Sequence, residues 1–497
     1  MGEEVASRAF THVDRRLYRD KLRRCLDALH LMVDEDRFAV EQTLTGMELE
    51  LYIVNSDGSP ALRNHDVLSY MSKCSAADGY DIQDELGRFN LEMNLAPRTV
   101  TGDGLAEYEQ RLTTWLGDVS TAAQSTAATV VMIGTLPTVR HEDAVLESLS
   151  PGARYRLLNE QILAARGEEL TLDIKGVESL DAHYDSIAPE AVNTSVQFHL
   201  QLTPHQFSRY WNAAQAIAGL QLAAGANSPY LFGSRLWAET RIVLFEQATD
   251  TRSRELRVQG VRPRTFFGEK WIGSVTDLFE ENLRYFPPLL PVLDEEDPVT
   301  TMAADDVPRL AELRLHNGTV YRWNRPVYDI SDGVAHLRVE NRVVPAGPTA
   351  VDVCANLALY LGLVTALAES DPPVWSRMPF SVAEQNFYAA ARHGITARQY
   401  WPGHGEVDAR SLVDRLLPTA AEGLARLGVE PASTNRLLSV IEGRCTTGVN
   451  GAAWQTTCVD HLETDRNLTR PQALAEMTRR YVRNAATNTP VHEWPTD

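Results

Sequence analysis

The sequence predicts an α+β fold in which helices surround an antiparallel sheet with one polar face. Three observations support this prediction. Several short segments alternate between apolar and charged residues, longer segments with helical spacing separate them, and the chain beyond about residue 349 is dominated by helical patterns. The 497 residues contain no internal repeat and no low-complexity linker, and this length suits one large domain or two to three small ones.

The elements follow from periodicity and from Gly and Pro boundaries. Apolar residues at helical spacing predict helices at about 15–32, 104–127, 153–167, 204–229, 351–368, 381–394, 408–428 and 470–486. Alternating or continuous apolar segments predict strands at about 44–54, before Pro97, and at 129–137, 193–202 and 335–345. We expect residues 80–89 to form a loop or short helix that leads into the strand before Pro97.

Composition excludes several classes of partner. The formal net charge of −20 repels nucleic-acid phosphates and anionic membranes, so a small polar ligand or a protein is the expected partner. The first residues are charged without an apolar signal core, and no later stretch is expected to reach the roughly 18 apolar residues of a membrane span. A cytoplasmic protein is therefore predicted.

The numbers of cysteines and lysines limit the kinds of binding site that the chain can form. Five cysteines without CxxC spacing predict reduced, mostly buried thiols rather than a disulfide framework or a zinc site. The four lysines are outnumbered by arginines, so an anion-binding site here would be built mainly from arginine.

The segment "LTGMELELYIV", residues 44–54, places two carboxylates on one face of a strand. Alternation puts Glu48, Glu50 and Tyr52 on the face opposite Met47 and Leu49. Adjacent like charges are costly unless a cation or a basic group lies between them. The alternative is an edge strand with a solvated face, which is common in antiparallel sheets.

Two other predicted strands repeat this arrangement of polar residues at alternate positions. Gln197 and His199 share a face of one strand, and Arg338, Glu340 and Arg342 share a face of the other. Glu85 and Glu92 lie seven residues apart before and within the strand that ends at Pro97. Each group has a simpler explanation: surface charges, a packed core histidine, or a surface ion-pair ladder.

Taken together, these groups predict a cavity walled by carboxylates and guanidinium groups. Oxygen ligands of this kind suit Mg²⁺, and arginines opposite them would bind phosphates or a substrate carboxylate in bidentate fashion. The sequence lacks GxxxxGK[ST], GxGxxG, HExxH and GxSxG motifs, so any nucleotide is expected to be held by metal ions and arginines.

The order and spacing of seven segments resemble the glutamate–cysteine ligase family, in its bacterial and plant lineages that include carboxylate–amine ligases. The segments are "GMELELYIV", "DELGRFNLEMNL", "RYRLLNEQI", "NTSVQFHLQL", "GANSPYLFGSRLWAETR", "HNGTVYRWNRPVYD" and "HLRVENRVVPAGPT". The resemblance implies a glutamine synthetase-like fold with an antiparallel sheet curved around the active site. It also implies ATP-dependent joining of a carboxylate to an amine through an acyl phosphate, with Mg²⁺ at the polyphosphate.

The resemblance also implies roles for individual residues. It makes Glu48, Glu50, Glu85, Glu92 and Glu340 the magnesium ligands. It makes Arg342, Arg325 and Arg241 the binders of phosphate or substrate carboxylate, and it places Gln197 and His199, together with Arg342, at the ATP site. Small-molecule substrates, an amino acid and an amine, are the expected partners.

The resemblance leaves several points open. Residues 230–252 depart from the family's Gly- and Pro-rich pattern, which leaves cysteine, another amine and ammonia open as acceptors, and a regulatory homologue is the remaining alternative. Residues 151–193 and 294–306 are the candidate segments for closing the site over the acyl phosphate. We expect residues 1–360 to form the catalytic region and 361–497 a mainly helical region packed on it.

Overall fold

The computed structural model of the protein describes residues 10–38, 43–74 and 80–496. Its strands are β1 (Thr45–Val54), β2 (Tyr80–Asp84), β3 (Asn90–Arg98), β4 (Thr129–Val131), β5 (Leu170–Lys175), β6 (Ser179–Tyr184), β7 (Val196–Leu202), β8 (Tyr230–Leu231), β9 (Ser234–Arg235), β10 (Thr265–Phe266), β11 (Tyr321–Arg322), β12 (Asn324–Ser331), β13 (Val334–Asn341), β14 (Arg398–Trp401) and β15 (Gly405–Asp408).

Helices pack around these strands and fill most of the second half of the chain. They are α1 (His12–Asp34), α2 (Asn64–Cys74), α3 (Gly104–Ser125), α4 (Ala153–Arg166), α5 (Pro204–Gly225), α6 (Thr240–Ala248), α7 (Arg254–Val258), α8 (Thr276–Tyr285), α9 (Pro298–Ala303), α10 (Ala311–Asn317), α11 (Ala350–Ala368), α12 (Phe380–His393), α13 (Ala409–Arg426), α14 (Pro431–Thr447), α15 (Gly451–Thr464) and α16 (Arg470–Ala485).

The main sheet has seven strands and is curved, with the order β12-β13-β7-β1-β3-β2 and with β4 paired to β1. Every pairing within it is antiparallel. The α+β fold with a curved antiparallel sheet and a helical C-terminal part is therefore confirmed. Because β1 lies between β3 and β7, the alternative of a solvated edge strand for Glu48 and Glu50 is wrong.

The two faces of the sheet differ in polarity, as the alternation in β1 requires. Met47 and Leu49 of β1 and Phe198 and Leu200 of β7 are buried on the apolar face. Helix α11 covers part of this face, where the rings of Phe198 and Tyr360 lie 6.0 Å apart. Burial of this apolar face fixes the register, because a slip by one residue would turn the carboxylates into the core.

Helix α11 is almost entirely apolar along its length. By length and composition it could span a membrane, but it is completely buried inside the protein. The expectation that no stretch would be long and apolar enough was therefore wrong, and its burial identifies α11 as a core helix. Helix α11 also passes through residue 360, the predicted boundary between the catalytic region and the helical region. That boundary stays a prediction.

Several elements differ from the sequence predictions. The segment expected to be a loop or short helix contains strand β2. Its pattern of alternating residues is too short to identify it, and its pairing with β3 defines it as a strand. The strand predicted at 129–137 shrinks to β4, and the predictions did not include β12, α14 or α15. The segment 151–193 holds α4 and the hairpin of β5 and β6, whereas 294–306 holds α9.

Two predictions fall partly outside the described residues. The first nine residues, which carried part of the argument against a signal segment, and the side chain of Cys74 are not described. Cys25, Cys354, Cys445 and Cys458 are buried free thiols, as predicted.

Candidate active site

The register of the main sheet brings most of the predicted site residues to one face. Glu48 lies opposite Gln197, and Glu50 lies opposite Glu92. His199 lies opposite Glu340, which in turn lies opposite Arg325. Directly opposed residues in antiparallel strands point to the same side of a sheet, so five strands, β1, β3, β7, β12 and β13, contribute to one polar surface.

One part of this surface, the arginine end, is formed by Arg325, Glu340 and Arg342. Glu340 is only 2% exposed, and Arg325 donates to its Oε2 from Nε at 3.2 Å and Nη2 at 2.7 Å. Arg342 donates to the other oxygen from Nε. Burial alone would raise the pKa of Glu340, but the charges of Arg325 and Arg342 hold it well below its usual value. A surface ion-pair ladder does not describe this buried arrangement.

His199 links the arginine end to Glu48. Arg338 donates from Nε to Nδ1 of His199 at 3.1 Å, and because a guanidinium can only donate, Nδ1 must be unprotonated. The proton of a neutral ring therefore sits on Nε2, which lies 3.1 Å from Oε1 of Glu48 without the alignment of a hydrogen bond. Burial raises the pKa of Glu48, but the contact with His199 and the charge of Arg342 together outweigh burial and bring that pKa below its usual value.

Glu50 is held by groups from β7 and the residue before it. Its Oε2 accepts from the Ser195 backbone N–H at 2.6 Å. Its Oε1 accepts from Ser195 Oγ at 3.2 Å and from Gln197 Nε2 at 3.1 Å. These donors fix the carboxylate but do not neutralise it, because none of them is charged.

Glu50, Glu85, Glu92 and the unpredicted Glu190 form the second part of the surface, the carboxylate end. Burial raises the pKa of Glu50, Glu85 and Glu92, and the neighbouring carboxylates raise it further. Glu92 accepts a hydrogen bond from Gln83 of β2. These carboxyl groups therefore hold protons more tightly than usual, and none of the four forms an ion pair with a described basic side chain, in contrast to Glu340.

Sequence reasoning missed Glu190, which lies on a short 3-10 helix, Ala188–Val192, rather than on the sheet. Burial raises the pKa of its carboxyl to about 8, and the charge of Glu50 adds to this effect while the charges of Arg342 and Arg154 oppose it. No alternation marks the residue, because a 3-10 turn has neither the strand nor the α-helix period. Its only signal was a lone acidic residue after Pro189 inside the segment 151–193.

Arg241 occupies a different position from the other two predicted arginines. It is buried in α6, pairs with Glu239 at 3.0 Å, and donates to the backbone carbonyls of Arg342 at 3.3 Å and Val343 at 2.5 Å. These contacts hold the chain segment that carries Arg342. Arg241 thus contacts the site through the backbone of its neighbour.

The described residues contain no group of three or more His, Cys, Asp or Glu side chains already arranged around a metal ion. The carboxylate end nevertheless fits a divalent cation chemically, because its carboxyl groups raise one another's pKa and form no contact ion pair with the basic side chains that are described. The buried oxygen Oε1 of Gln197 also has no hydrogen-bond donor among the residues that are described.

Comparison with solved structures finds the same fold in a glutamate–cysteine ligase from Francisella tularensis in complex with AMP. The two chains share 12% identity at a TM-score of 0.53, over 91% of this chain and 90% of that one. A bifunctional glutathione synthetase from Pasteurella multocida, also 12% identical, gives a TM-score of 0.47 over 95% of this chain and 55% of that one. No curated protein sequence matches the chain significantly.

The family comparison covers most of the chain. The model of "Glutamate-cysteine ligase family 2" matches residues 44–470, which include the main sheet, the arginine end, the carboxylate end and α6. On this match, the chain belongs to the glutamate–cysteine ligase family.

Proposed function

We propose that the protein is an ATP- and Mg²⁺-dependent ligase that joins the γ-carboxylate of glutamate to an amine through an acyl phosphate. The single observation that supports this most is the division of one polar face into an arginine end and a carboxylate end. Phosphoryl transfer to a carboxylate needs both kinds of group, since arginines stabilise anionic oxygens and carboxylates hold the cations that neutralise a polyphosphate.

The proposed metal ligands are the five glutamates on the sheet face and beside it: Glu48, Glu50, Glu85, Glu92 and Glu340. When bound, Mg²⁺ would neutralise charge on the ATP phosphates. Glu340 already has two arginine partners, so we propose that it binds the metal less strongly than the glutamates of the carboxylate end do. Gln197 and His199 would orient the neighbouring carboxylates Glu50 and Glu48.

Arg342 and Arg325 are the proposed binders of phosphate or of the substrate carboxylate. Both side chains are partly exposed, at 20% and 17%, so each can reach a ligand while it stays paired with Glu340. A planar guanidinium matches two oxygens of one anion. Arg241 would support them by holding the carbonyls of residues 342 and 343.

The proposed chemistry begins with attack of a γ-carboxylate oxygen of glutamate on the γ-phosphorus of ATP, with ADP as the leaving group. The amine then attacks the carbonyl carbon of the acyl phosphate, inorganic phosphate leaves, and an amide forms. Water would hydrolyse the intermediate, so a segment must close over the site. Of the two candidate segments we propose residues 151–193, because they carry Glu190.

ADP release measures this function directly. Purified protein with Mg-ATP and glutamate is tested with cysteine, other amino acids, simple amines and ammonia, one at a time. We expect ADP release that depends on both glutamate and one class of amine. Release with ammonia or a simple amine instead of cysteine would identify a carboxylate–amine ligase with a different acceptor. ADP release without any carboxylate would contradict the proposal.

Isotope transfer distinguishes a ligase from an ATPase. Glutamate carrying ¹⁸O in its γ-carboxylate should transfer one labelled oxygen to phosphate for each amide formed, because the phosphorylated oxygen is the one expelled. ATP hydrolysis without label in phosphate would mean that water attacks ATP directly. Binding of Mg-ATP with thermal stabilisation but no turnover for any carboxylate would favour the alternative of a regulatory homologue.

A further inference from the structure

Glu190 is an acidic residue close enough to the basic residue Arg342 for the charge of Arg342 to act on its carboxyl, yet the two do not form an ion pair. Among the described residues, no nitrogen of Arg342 lies within 4.0 Å of a Glu190 oxygen, whereas Arg342 does pair with Glu340. Two complementary groups that lie near each other without contact leave room for a ligand that complements both.

The Glu190 carboxylate is incompletely satisfied. Its Oε2 is buried and has no hydrogen-bond partner in the described part of the chain. The backbone carbonyl of Glu190 accepts from Asn193 Nδ2 at 3.2 Å, which fixes the short helix Ala188–Val192 without supplying a donor to Oε2. A buried carboxylate oxygen without a donor costs free energy unless a ligand supplies one.

Arg342 is incompletely satisfied in the same way. It uses Nε for Glu340, and no hydrogen bond from its Nη1 or Nη2 is seen among residues 10–38, 43–74 and 80–496. Its backbone is fixed at both ends, by the N–H bond to Trp323 at 2.8 Å and by the Arg241 bond to its carbonyl at 3.3 Å. The outer edge of a positioned guanidinium is therefore available for an anion.

The gap between these groups has both signs of charge around it. The charge of Arg342 is the strongest one that acts on the Glu190 carboxyl, and Arg154 at the start of α4 also acts on it. The charges of Glu190, Arg154 and Arg342 also act on Tyr321, whose ring centroid lies 5.1 Å from that of Phe245.

We propose that Glu190 binds the ammonium group of an amino-acid substrate whose carboxylate lies toward Arg342. The inference rests on the proposed ligase function of this site and names a specificity-determining residue for it. A zwitterion places one positive and one negative group a few bonds apart, which matches a carboxylate and a guanidinium separated by more than contact distance.

A metal ion fits Glu190 less well than an ammonium group does. Glu85 and Glu92 have carboxylates as their main charged neighbours, whereas Arg342 and Arg154 flank Glu190. Two guanidinium groups would repel a divalent cation more strongly than a singly charged ammonium group. Glu190 also lies off the sheet, near the C-terminal end of the segment 151–193, rather than on the polar face shared by the five strands.

The test compares substrates with and without the ammonium group. Glutamate and glutarate, which differ only in that group, are used as donors with Mg-ATP and the best amine. We expect Glu190→Gln to raise the KM for glutamate by about 10- to 100-fold, the range for a hydrogen bond to a charged group, and to leave the KM for glutarate unchanged. Glu190→Asp, which keeps the charge, should retain part of the preference.

A matched control and a binding measurement complete the design. Glu147→Gln removes an exposed glutamate from the same half of the chain and should change neither KM. Calorimetry with Mg and a non-hydrolysable ATP analogue measures glutamate and glutarate binding without turnover. Thermal melting confirms that each variant is folded.

The outcomes show whether Glu190 binds the ammonium group of the donor, binds that of the acceptor, or binds a metal ion instead. A raised KM for glutamate alone assigns Glu190 to the donor, and a raised KM for the amino-acid acceptor alone assigns it to the acceptor; both support the proposal. Equal losses with glutamate and glutarate, accompanied by a higher Mg²⁺ requirement, would make Glu190 a metal ligand and overturn it.

Failure of the ligase function is distinguishable from failure of this inference. If the wild type releases no ADP with any substrate pair, the ligase proposal fails, and calorimetry then decides the role of Glu190. Tighter binding of glutamate than glutarate that disappears in Glu190→Gln would support the proposal. Equal binding of the two by the wild type, or no binding of either, would overturn it.

Discussion

The arginine end and the carboxylate end use the same residue type with opposite electrostatic results. Glu340 and Glu50 both lie on the polar face of one sheet, but Glu340 has two guanidinium partners and Glu50 has only neutral donors. Burial raises the pKa of both, and the arginines reverse this effect only for Glu340. The difference shows that partners rather than burial decide whether a glutamate here is stably charged before any ligand binds.

The largest expected effect is at the arginine end. Glu340→Gln leaves two guanidinium groups without their shared carboxylate, so the free energy of unfolding should fall by about 3 kcal/mol. Activity should fall by about a hundredfold or more, because a negative oxygen is lost from the site. Chemical denaturation and ADP release measure the two effects. Glu406→Gln, which removes the exposed partner of Arg398, is the control and should be neutral. A variant as stable as the wild type would refute the assigned pairing.

A smaller loss is expected from Arg342→Lys. Lysine keeps the positive charge but loses the planar fork that can pair with Glu340 and a ligand anion together. We expect ADP release to fall by about tenfold or more. Arg398→Lys, at an exposed ion pair, provides the comparison. Wild-type activity in Arg342→Lys would place this arginine outside the chemistry.

Removing a glutamate from the carboxylate end should raise the free energy of unfolding, whereas Glu340→Gln should lower it. Glu85→Gln removes one of several mutually repelling charges, so the metal-free protein at pH 8 should gain on the order of 1 kcal/mol in its free energy of unfolding. Activity should still fall, because a proposed metal ligand is lost. Denaturation without Mg²⁺ tests the sign. A loss of stability would show that Glu85 has a charged partner in solution.

We also expect the free energy of unfolding to depend on pH, with an alkaline limb from Glu190 of the carboxylate end and an acid limb from Glu48. Burial raises the folded-state pKa of Glu190 from 4.5 to about 8, so the folded state binds more protons and stability falls as pH rises from about 4.5 to 8. The pKa of Glu48 is lowered toward about 2, so its contribution is present above pH 4.5 and is lost as pH falls below it. Each group contributes at most about 1.4 kcal/mol per pH unit.

Thermal melting between pH 3 and 9 measures both limbs. Glu190→Gln should flatten the fall on the alkaline side and leave the acid side unchanged. Mg²⁺ should stabilise most at high pH, where the carboxylate end is ionised. An alkaline limb that persists in Glu190→Gln would assign it to other groups.

Much of the sheet could be predicted because its alternation is explicit in the sequence. Glu48 and Glu50 lie between apolar residues at alternate positions, and this pattern requires two faces of different polarity. Gln197, His199 and Glu340 follow the same rule, and the observed register places them on the same side. The family resemblance added the roles of these residues, which the alternation alone could not supply.

The missed features lack such a local signal. Strand β2 is five residues long and depends on β3 for its definition, and Glu190 lies on a 3-10 turn without useful periodicity. Helices α14 and α15 include or adjoin "RCTTGVNG", where threonine and glycine lower helix propensity and tertiary packing decides the outcome. The tie from Arg241 to the carbonyls of residues 342 and 343 also arises from distant parts of the chain, which no local pattern reveals.

The strand order of the main sheet has a consequence for biosynthesis. β1 emerges from the ribosome early, but its neighbour β7 comes much later, and β12 and β13 later still. The glutamates of β1 and β3 are therefore all synthesised before Arg325 and Arg342 exist to balance the arginine end. Pairing between strands so distant along the chain is slow to form. The sheet therefore stays unfinished, with unpaired strand edges, until more than half of the chain has been translated.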